Sequence, residues 1–212
     1  MSEITSKVQE KYGSFTASIA AGGARTTYWL VVKARAFATR RLTVDPDLVN
    51  PPPEALERIA RETRELERAW TTSAGVNLWD APFVRPVKEP ANSAFGTRSV
   101  YNGQARTPHG GADFASPEGT PIASPNAGRV VLAGSRYFTG GTVIIDHGLG
   151  LFSLFAHLSS IGVQVGDAVK PGTIVGNVGS TGRVTGPHLH WAVRANGARV
   201  DPLSLLSVLG VH

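Results

Sequence analysis

The sequence predicts a mainly β protein, and three observations carry that reading. Short runs rich in β-branched and aromatic residues recur between glycine turns, 24 Gly and 14 Pro supply the turns, and just one long stretch keeps a helical period before the C-terminus. Hydrophobic residues at 42% and charged residues at 17% place the chain among folded proteins rather than disordered ones. Its 212 residues suffice for one large domain or two small ones with a real core. The expected order is a small N-terminal antiparallel β-domain (1–50), a charged helix (51–72), a proline-rich connector (73–93) and a second, all-β domain (94–212).

Within the first part, SFTASIA, TTYWLVVKARA and ATRRLTV read as strands of one small antiparallel sheet, separated by AGGA and AF. The following DPDLVNPPPEALERIARETRELERAW reads as a helix. Asn50 is placed to cap it, the prolines suit its first turn, and Glu54 favours its positive end. Leu56, Ile59, Ala60, Leu66 and Ala69 fall near one face, while Glu54/Arg58, Glu57/Arg61 and Arg61/Glu65 stand four apart as solvated pairs. This helix is expected to be a strut or docking element without chemistry. NLWDAPFVRPVKEPANSAFG, with three prolines, reads as an extended connector. Beyond it, TPIASPNAGRVVLAG, GTVIIDHGLGLFSLFAHLS, VGDAVKPGTIVGNVG and LHWAVRANGARV give short strands between tight turns, and DPLSLLSVL allows a helical turn or two.

Composition narrows the function. The net charge of +5 favours an anionic partner, but there is no basic block of nucleic-acid-tail length, and nucleic acid is not expected as a partner. With no cysteine, thiol catalysis, disulfides and Cys-ligated zinc are excluded. No run approaches the ~20 apolar residues of a membrane span. MSEITSKVQEKYGS lacks a signal-peptide pattern, so an exported protein is expected here in trimmed form.

Five of the six histidines lie between positions 109 and 190, which puts the chemistry in the second part. His188 and His190 in GPHLHW share a face if LHWAVR is a strand, with Trp191 on the other. Two such imidazoles can pack at a strand end, bind one metal, or divide the work between binding and proton movement. In TPHGGADFASPEGTPI, His109 and Asp113 stand four apart, aligned in either extended or helical backbone, with small residues between them. Imidazole and carboxylate are natural zinc ligands, and two histidines with one carboxylate leave a fourth position open. His157 ends the apolar run LFSLFAHLSS, in phase with Ser153 and Phe155. His147, between Asp146 and Gly148, sits where a hairpin should turn and is read as structural. Arg183 could meet a peptide carboxylate, but reads more simply as a solvated loop residue.

In this order, H-x₃-D, a strand-end histidine and H-x-H resemble the LytM/lysostaphin-type zinc endopeptidases, which cut peptide bonds in bacterial peptidoglycan. The resemblance runs through residues 94–203, in SAFGTR, HGGADFASPEGTPI, AGRVV, GGTVIIDHGLGLFSLFAHLS, VGDAVKPGTIVGNVGSTGRVTGPHLHW and VDPLSLL. It implies a LytM-type peptidase domain, Zn²⁺ on His109, Asp113 and His190, and His157 and His188 as catalytic histidines. No H-E-x-x-H glutamate is present, so proton handling falls to imidazole. The implied partners are peptidoglycan stem or cross-link peptides, and the implied location is the periplasm or cell envelope. The N-terminal sheet resembles β-domains that precede this peptidase in some wall proteins.

Two rival readings remain informative. VGDAVKPGTIVGNVG also looks like a biotinyl-type carrier hairpin, but Lys170 precedes a proline without flanking methionines, and that reading leaves the histidines unexplained. Some relatives of such peptidases have lost ligands and instead activate other wall hydrolases; here both sets of positions are intact. The first 80 residues, or the loop with Tyr101 and Asn102, could cover the cleft and keep the enzyme latent. The residues that would bind substrate, and the bond cut, are not readable.

Overall fold

The computed structural model describes residues 13–21, 24–44 and 46–210, so residues 1–12, 22–23, 45 and 211–212 lie outside the described residues. The chain forms two compact units, Met1–Phe37 and Ala38–His212. In the first, β1 (Gly13–Ala21) and β2 (Ala24–Val32) pair antiparallel along their length. Thr and aromatic residues meet across the pair, as at Thr16↔Trp29 and Phe15↔Leu30.

ATRRLTV does not join this hairpin. Its strand β3 (Thr39–Leu42) lies in the second unit and pairs parallel with β5 (Arg98–Tyr101), which in turn pairs with β6 (Gln104–Ala105). Parallel neighbours need a long crossover. Here the crossover contains α1 (Pro46–Val49), α2 (Pro53–Ala69) and β4 (Ala91–Ser93).

Among the described residues, the main sheet continues with β7 (Ala112–Phe114), β8 (Pro121–Ala123), β9 (Gly128–Arg136), β10 (Gly140–Gly148), β11 (Leu151–Ile161), β12 (Ala168–Val169), β13 (Ile174–Val178), β14 (Leu189–Ala195) and β15 (Ala198–Val200). Its order is β12-β9-β10-β11-β14-β7-β4, with β13 joining β11 to β8 and β15 flanking β14. The protein is mainly β, as its sequence predicts. The C-terminal helix α3 (Pro202–Leu209) follows, with the Asp201 carboxylate accepting from Leu203 N–H.

The apolar run in β10 and β11 reflects burial on both faces. Val143, Ile145 and Phe155 pack into the larger core with Phe114, Ile122 and Trp191. Ile144, Phe152, Leu154 and Ala156 point the other way, against Leu66, Ala69 and Trp70 at the end of α2. The Trp70 and Phe152 rings meet edge-on at 5.6 Å. The proline-rich connector is irregular, with bends over 75–76 and 86–89, and it contributes Phe83 and Val87 to the larger core.

The helix differs from its sequence reading in which face it buries. Ala55, Glu62 and Ala69 are buried, whereas Leu56 is 53% exposed. Asn50 is not the cap, since helical backbone begins after Pro52 without a side-chain bond. Glu62 accepts from Arg58 Nε and Tyr137 N–H, both at 2.7 Å, and so ties α2 to the end of β9. Burial opposes the ionised Glu62, but these bonds outweigh it and hold its carboxyl below the usual range. Arg136 reaches Glu65 at 3.0 Å, reinforcing the same junction.

His147 is structural, though it lies within β10 rather than at a turn tip. It is fully buried, with Nδ1–H donating to Ala127 O (2.7 Å) and Nε2 accepting from Ser153 Oγ (3.0 Å). Burial pushes its pKa down to about 4, against the opposing effects of the Ala127 bond and Asp146. The unfolded chain therefore binds a proton that the folded chain refuses between about pH 6.5 and 4. Folding stability from this residue is complete above that window and falls as pH drops through it, by ~3 kcal/mol at the low end. Urea unfolding from pH 7 to 4.5, with chelator present, should give a steeper loss in the native chain than in His147→Gln. Equal slopes would show that His147 is not the titrating group.

Candidate active site

The site lies on the α2-facing side of the sheet and begins with a cross-strand pair. Asp113 on β7 stands opposite His190 on β14, while Trp191 is wholly buried on the other face. Alternation along β14 thus sends the imidazole into the cleft and the indole into the core. His109 enters from the loop before β7, four residues ahead of Asp113. Gly111 makes that approach practicable: a Cβ there would come within 2.3 Å of Trp191 O and 2.9 Å of His190 Cε1.

Three ligand-type atoms converge. His109 Nε2 and His190 Nδ1 each lie 2.8 Å from Asp113 Oδ1 and 3.0 Å from one another. His109 Nδ1 faces the Ala94 carbonyl at 3.1 Å, and because a carbonyl can only accept, Nδ1 carries the proton. A neutral His109 therefore turns an Nε2 lone pair toward a carboxylate lone pair at hydrogen-bond distance. A cation between the three atoms removes that conflict, so the donor set fits a divalent metal. Burial would raise the Asp113 carboxyl; bonds and charge from His109 and His190, where those imidazoles carry the extra proton, act the other way and hold it far below the ordinary carboxylate range, a role that a cation between the three groups would take over. His190 is pushed downward, chiefly by burial, despite its bond to Asp113.

His157 and His188 complete the cluster. Their ring centroids are 4.8 Å apart, and His188 Nε2 lies 4.0 Å from Asp113 Oδ1. His157 Nδ1–H donates to Thr181 O (2.9 Å) and His188 Nδ1–H to Gly186 O (2.8 Å), which leaves both Nε2 atoms as acceptors. Burial, then the neighbouring His190 and His188, pushes the His157 pKa down to about 3, so it is a neutral base at ordinary pH.

The sequence phase of His157 is altered by a bulge. Strict alternation from Phe155 would turn it into the core. Instead the β10–β11 register shifts between Val143↔Phe155 and Gly141↔Leu158, and His157 adopts φ +68. Ala156 and His157 then share the cleft side, and Leu158 returns to the core. His157 N–H donates to Thr139 O at 2.8 Å, holding the bulge.

A cleft of about 610 Å³ spreads from this cluster, lined by Leu42, Leu66, Trp70, Tyr101, Phe138 and several arginines among others. The helix expected to be inert thus supplies a wall. Arg40, which no sequence signal singles out, lies 3.6 Å from Asp113 Oδ2 while donating to Ser99 Oγ (3.0 Å) and Ser93 Oγ (3.2 Å). Its place depends on the β3–β5 pairing across an intervening helix. Arg183 is not a solvated loop residue either: its guanidinium stacks on Phe138 (4.6 Å) and Tyr101 (5.5 Å). Tyr101 lines the cleft, whereas Asn102 spends its amide on the Val44 backbone, at 3.1 and 3.0 Å.

A sheet that sets a His–Asp–His cluster beside two further imidazoles defines a metallopeptidase type of centre. Residues 107–202 match the Peptidase family M23 model, and a Pseudomonas aeruginosa crystal structure described under peptidase M23 shares the fold, with TM-score 0.74 and 37% identity over 93% of this chain and 75% of that one. The chain belongs to peptidase family M23. A zinc-containing peptidase from Vibrio cholerae matches with TM-score 0.54 and 32% identity, over 57% of this chain and 39% of that chain. DD-carboxypeptidase/endopeptidase Mpg of Neisseria meningitidis serogroup B is 43% identical over 97 residues, and peptidoglycan DD-endopeptidase ShyA of Vibrio cholerae 42% over 96. These matches cover 46% and 45% of this chain, and only 22% of either relative.

Gly111→Ala should separate β7 from β14 at the cluster. Chemical denaturation should register a loss of about 1–3 kcal/mol, the usual cost of overpacking. An unchanged midpoint would mean that the strands yield without strain.

Proposed function

We propose that the protein is a zinc-dependent endopeptidase hydrolysing peptide bonds in bacterial peptidoglycan, with His109, Asp113 and His190 as metal ligands. The observation that carries this reading is the convergence of those three acceptor groups beside two imidazoles whose Nε2 atoms are free to accept protons. The names of the M23 relatives support peptidoglycan as substrate, and such a substrate puts the site of action outside the cytoplasm, in the periplasm or envelope. No helix among the described residues is long and apolar enough to cross a membrane.

When bound, zinc supplies a Lewis acid that polarises the scissile carbonyl and brings water to a reactive pKa. The protein's own groups do the rest. His157, neutral and fixed by Thr181 O, accepts a proton at Nε2. His188, fixed by Gly186 O, stands on the Asp113 side of the cluster and can orient the nucleophile or stabilise charge developing on the carbonyl oxygen. Arg40 engages the outer oxygen of Asp113, which steadies the carboxylate while Oδ1 faces the histidines.

Zinc stoichiometry on purified protein, followed by peptidoglycan digestion, tests this assignment. Native protein should hold one zinc per chain and release new muropeptide termini. His190→Ala should lose metal and activity together, whereas His157→Ala and His188→Ala should keep metal and lose on the order of 10²-fold or more in rate. Zinc binding without cleavage would point to a wall protein that activates other hydrolases.

A further inference from the structure

We propose that Thr181 is a positioning residue for the reaction: its hydroxyl locks the loop that orients His157 onto the bulge that carries His157. This rests on the peptidase reading above and adds a residue that acts through His157 rather than on the reacting atoms. The bulge poses a mechanical problem. The register shift between Gly141↔Leu158 and Val143↔Phe155 interrupts the β10–β11 ladder at the place where a base has to be held still. His157 sits there at φ +68, a conformation that strand pairing does not itself enforce.

Thr181 meets that problem with both its hydroxyl and its carbonyl. Its Oγ1 accepts from Gly141 N–H at 2.9 Å and donates to Leu158 O at 2.8 Å, so one hydroxyl spans the two strands at the shift. Its carbonyl oxygen, 2.9 Å from His157 Nδ1, accepts the imidazole proton. Because hydroxyl and carbonyl belong to the same residue, the two strands, the acceptor and the ring are tied into one unit. The loop is shaped to bring that residue in. Residues 180–187 are closed at their base by the Gly179–His188 bridge, where His188 N–H donates to Gly179 O at 3.2 Å. Gly140 and Gly182, both at positive φ, admit the close approach: a Cβ on Gly140 would collide with Thr181 Oγ1, and one on Gly182 with Gly140 N. Thr181 is itself exposed, so its contribution lies in these bonds and not in core packing. Without the hydroxyl, the loop is released from the bulge, the carbonyl drifts from Nδ1, and the ring can turn Nε2 away from the cluster.

The test compares full-length Thr181→Val, Thr181→Ala and Thr181→Ser with native protein, all zinc-loaded, on a synthetic cross-link peptide. Valine keeps the shape of threonine but neither donates nor accepts, whereas serine keeps both functions. Thr181→Val and Thr181→Ala should hold one zinc per chain and keep KM within about twofold, while kcat falls about tenfold to a hundredfold, as for a displaced base. Thr181→Ser should keep kcat within about threefold of native. Long-range ¹H–¹⁵N NMR reads the same lock without turnover. The His157 Nδ1–H proton should exchange with water about tenfold faster or more in Thr181→Val, and at the native rate in Thr181→Ser. Native kcat in Thr181→Val and Thr181→Ala would overturn the proposal, since the hydroxyl would then be dispensable. A Thr181→Ser variant as slow as Thr181→Val would overturn it as well, by tracing the effect to the methyl group. So would loss of zinc in all three variants, which would mark a general collapse of the site. Faster His157 exchange in Thr181→Val, in a protein that cleaves no cross-link peptide, would leave the positioning role standing and remove the peptidase reading.

Discussion

The site depends on the antiparallel register that places His190 opposite Asp113. A one-residue slip of β14 would send His190 into the core and bring Trp191 into the cleft. The register is protected by what lies on the far side: Leu189, Trp191 and Val193 are wholly buried among Phe114 and Phe155. Packing of the apolar face therefore determines the chemistry of the polar one. His109 joins this pair only because Gly111 lets its loop run against the backbone of Trp191.

Around that pair, backbone carbonyls do much of the orienting. Ala94 O, Thr181 O and Gly186 O each accept an imidazole Nδ1–H and so turn three Nε2 atoms inward. Carbonyls in loops pinned to strands are fixed acceptors, with less freedom than carboxylate side chains and no charge to bury. His157 carries a cost in exchange, since a left-handed conformation is uncommon outside glycine. The Thr139 bond and the return of Leu158 to the core hold it in place.

Much of the architecture was legible because it follows local rules. The H-x-H alternation, the four-residue His109–Asp113 spacing and the glycine-punctuated β pattern are short-range signals, and all five candidate histidine and aspartate positions meet in one cluster. What stayed hidden depends on long-range pairing or on departures from periodicity. The bulge at His157 inserts a residue that alternation cannot anticipate. β3 pairs with a strand more than fifty residues away, so Arg40 gave no sign of facing Asp113. On α2, Leu56 is apolar yet exposed, while Glu62 is buried because Arg58 and Tyr137 satisfy its carboxylate, a pairing that apolar periodicity does not register.

The wall built by α2 bears on how portable the catalytic module is. The stretch that matches the M23 family begins at residue 107, yet the outer face of β10 and β11 is roofed by Leu66, Ala69 and Trp70, contributed about forty residues upstream. Cutting the chain at the family boundary for grafting onto another scaffold would bare Ile144, Phe152 and Leu154 as a contiguous sticky surface. The practical unit for transplantation starts at Ala38, where the compact second unit itself begins, and any chimera designed from sequence matching alone would carry an unroofed sheet.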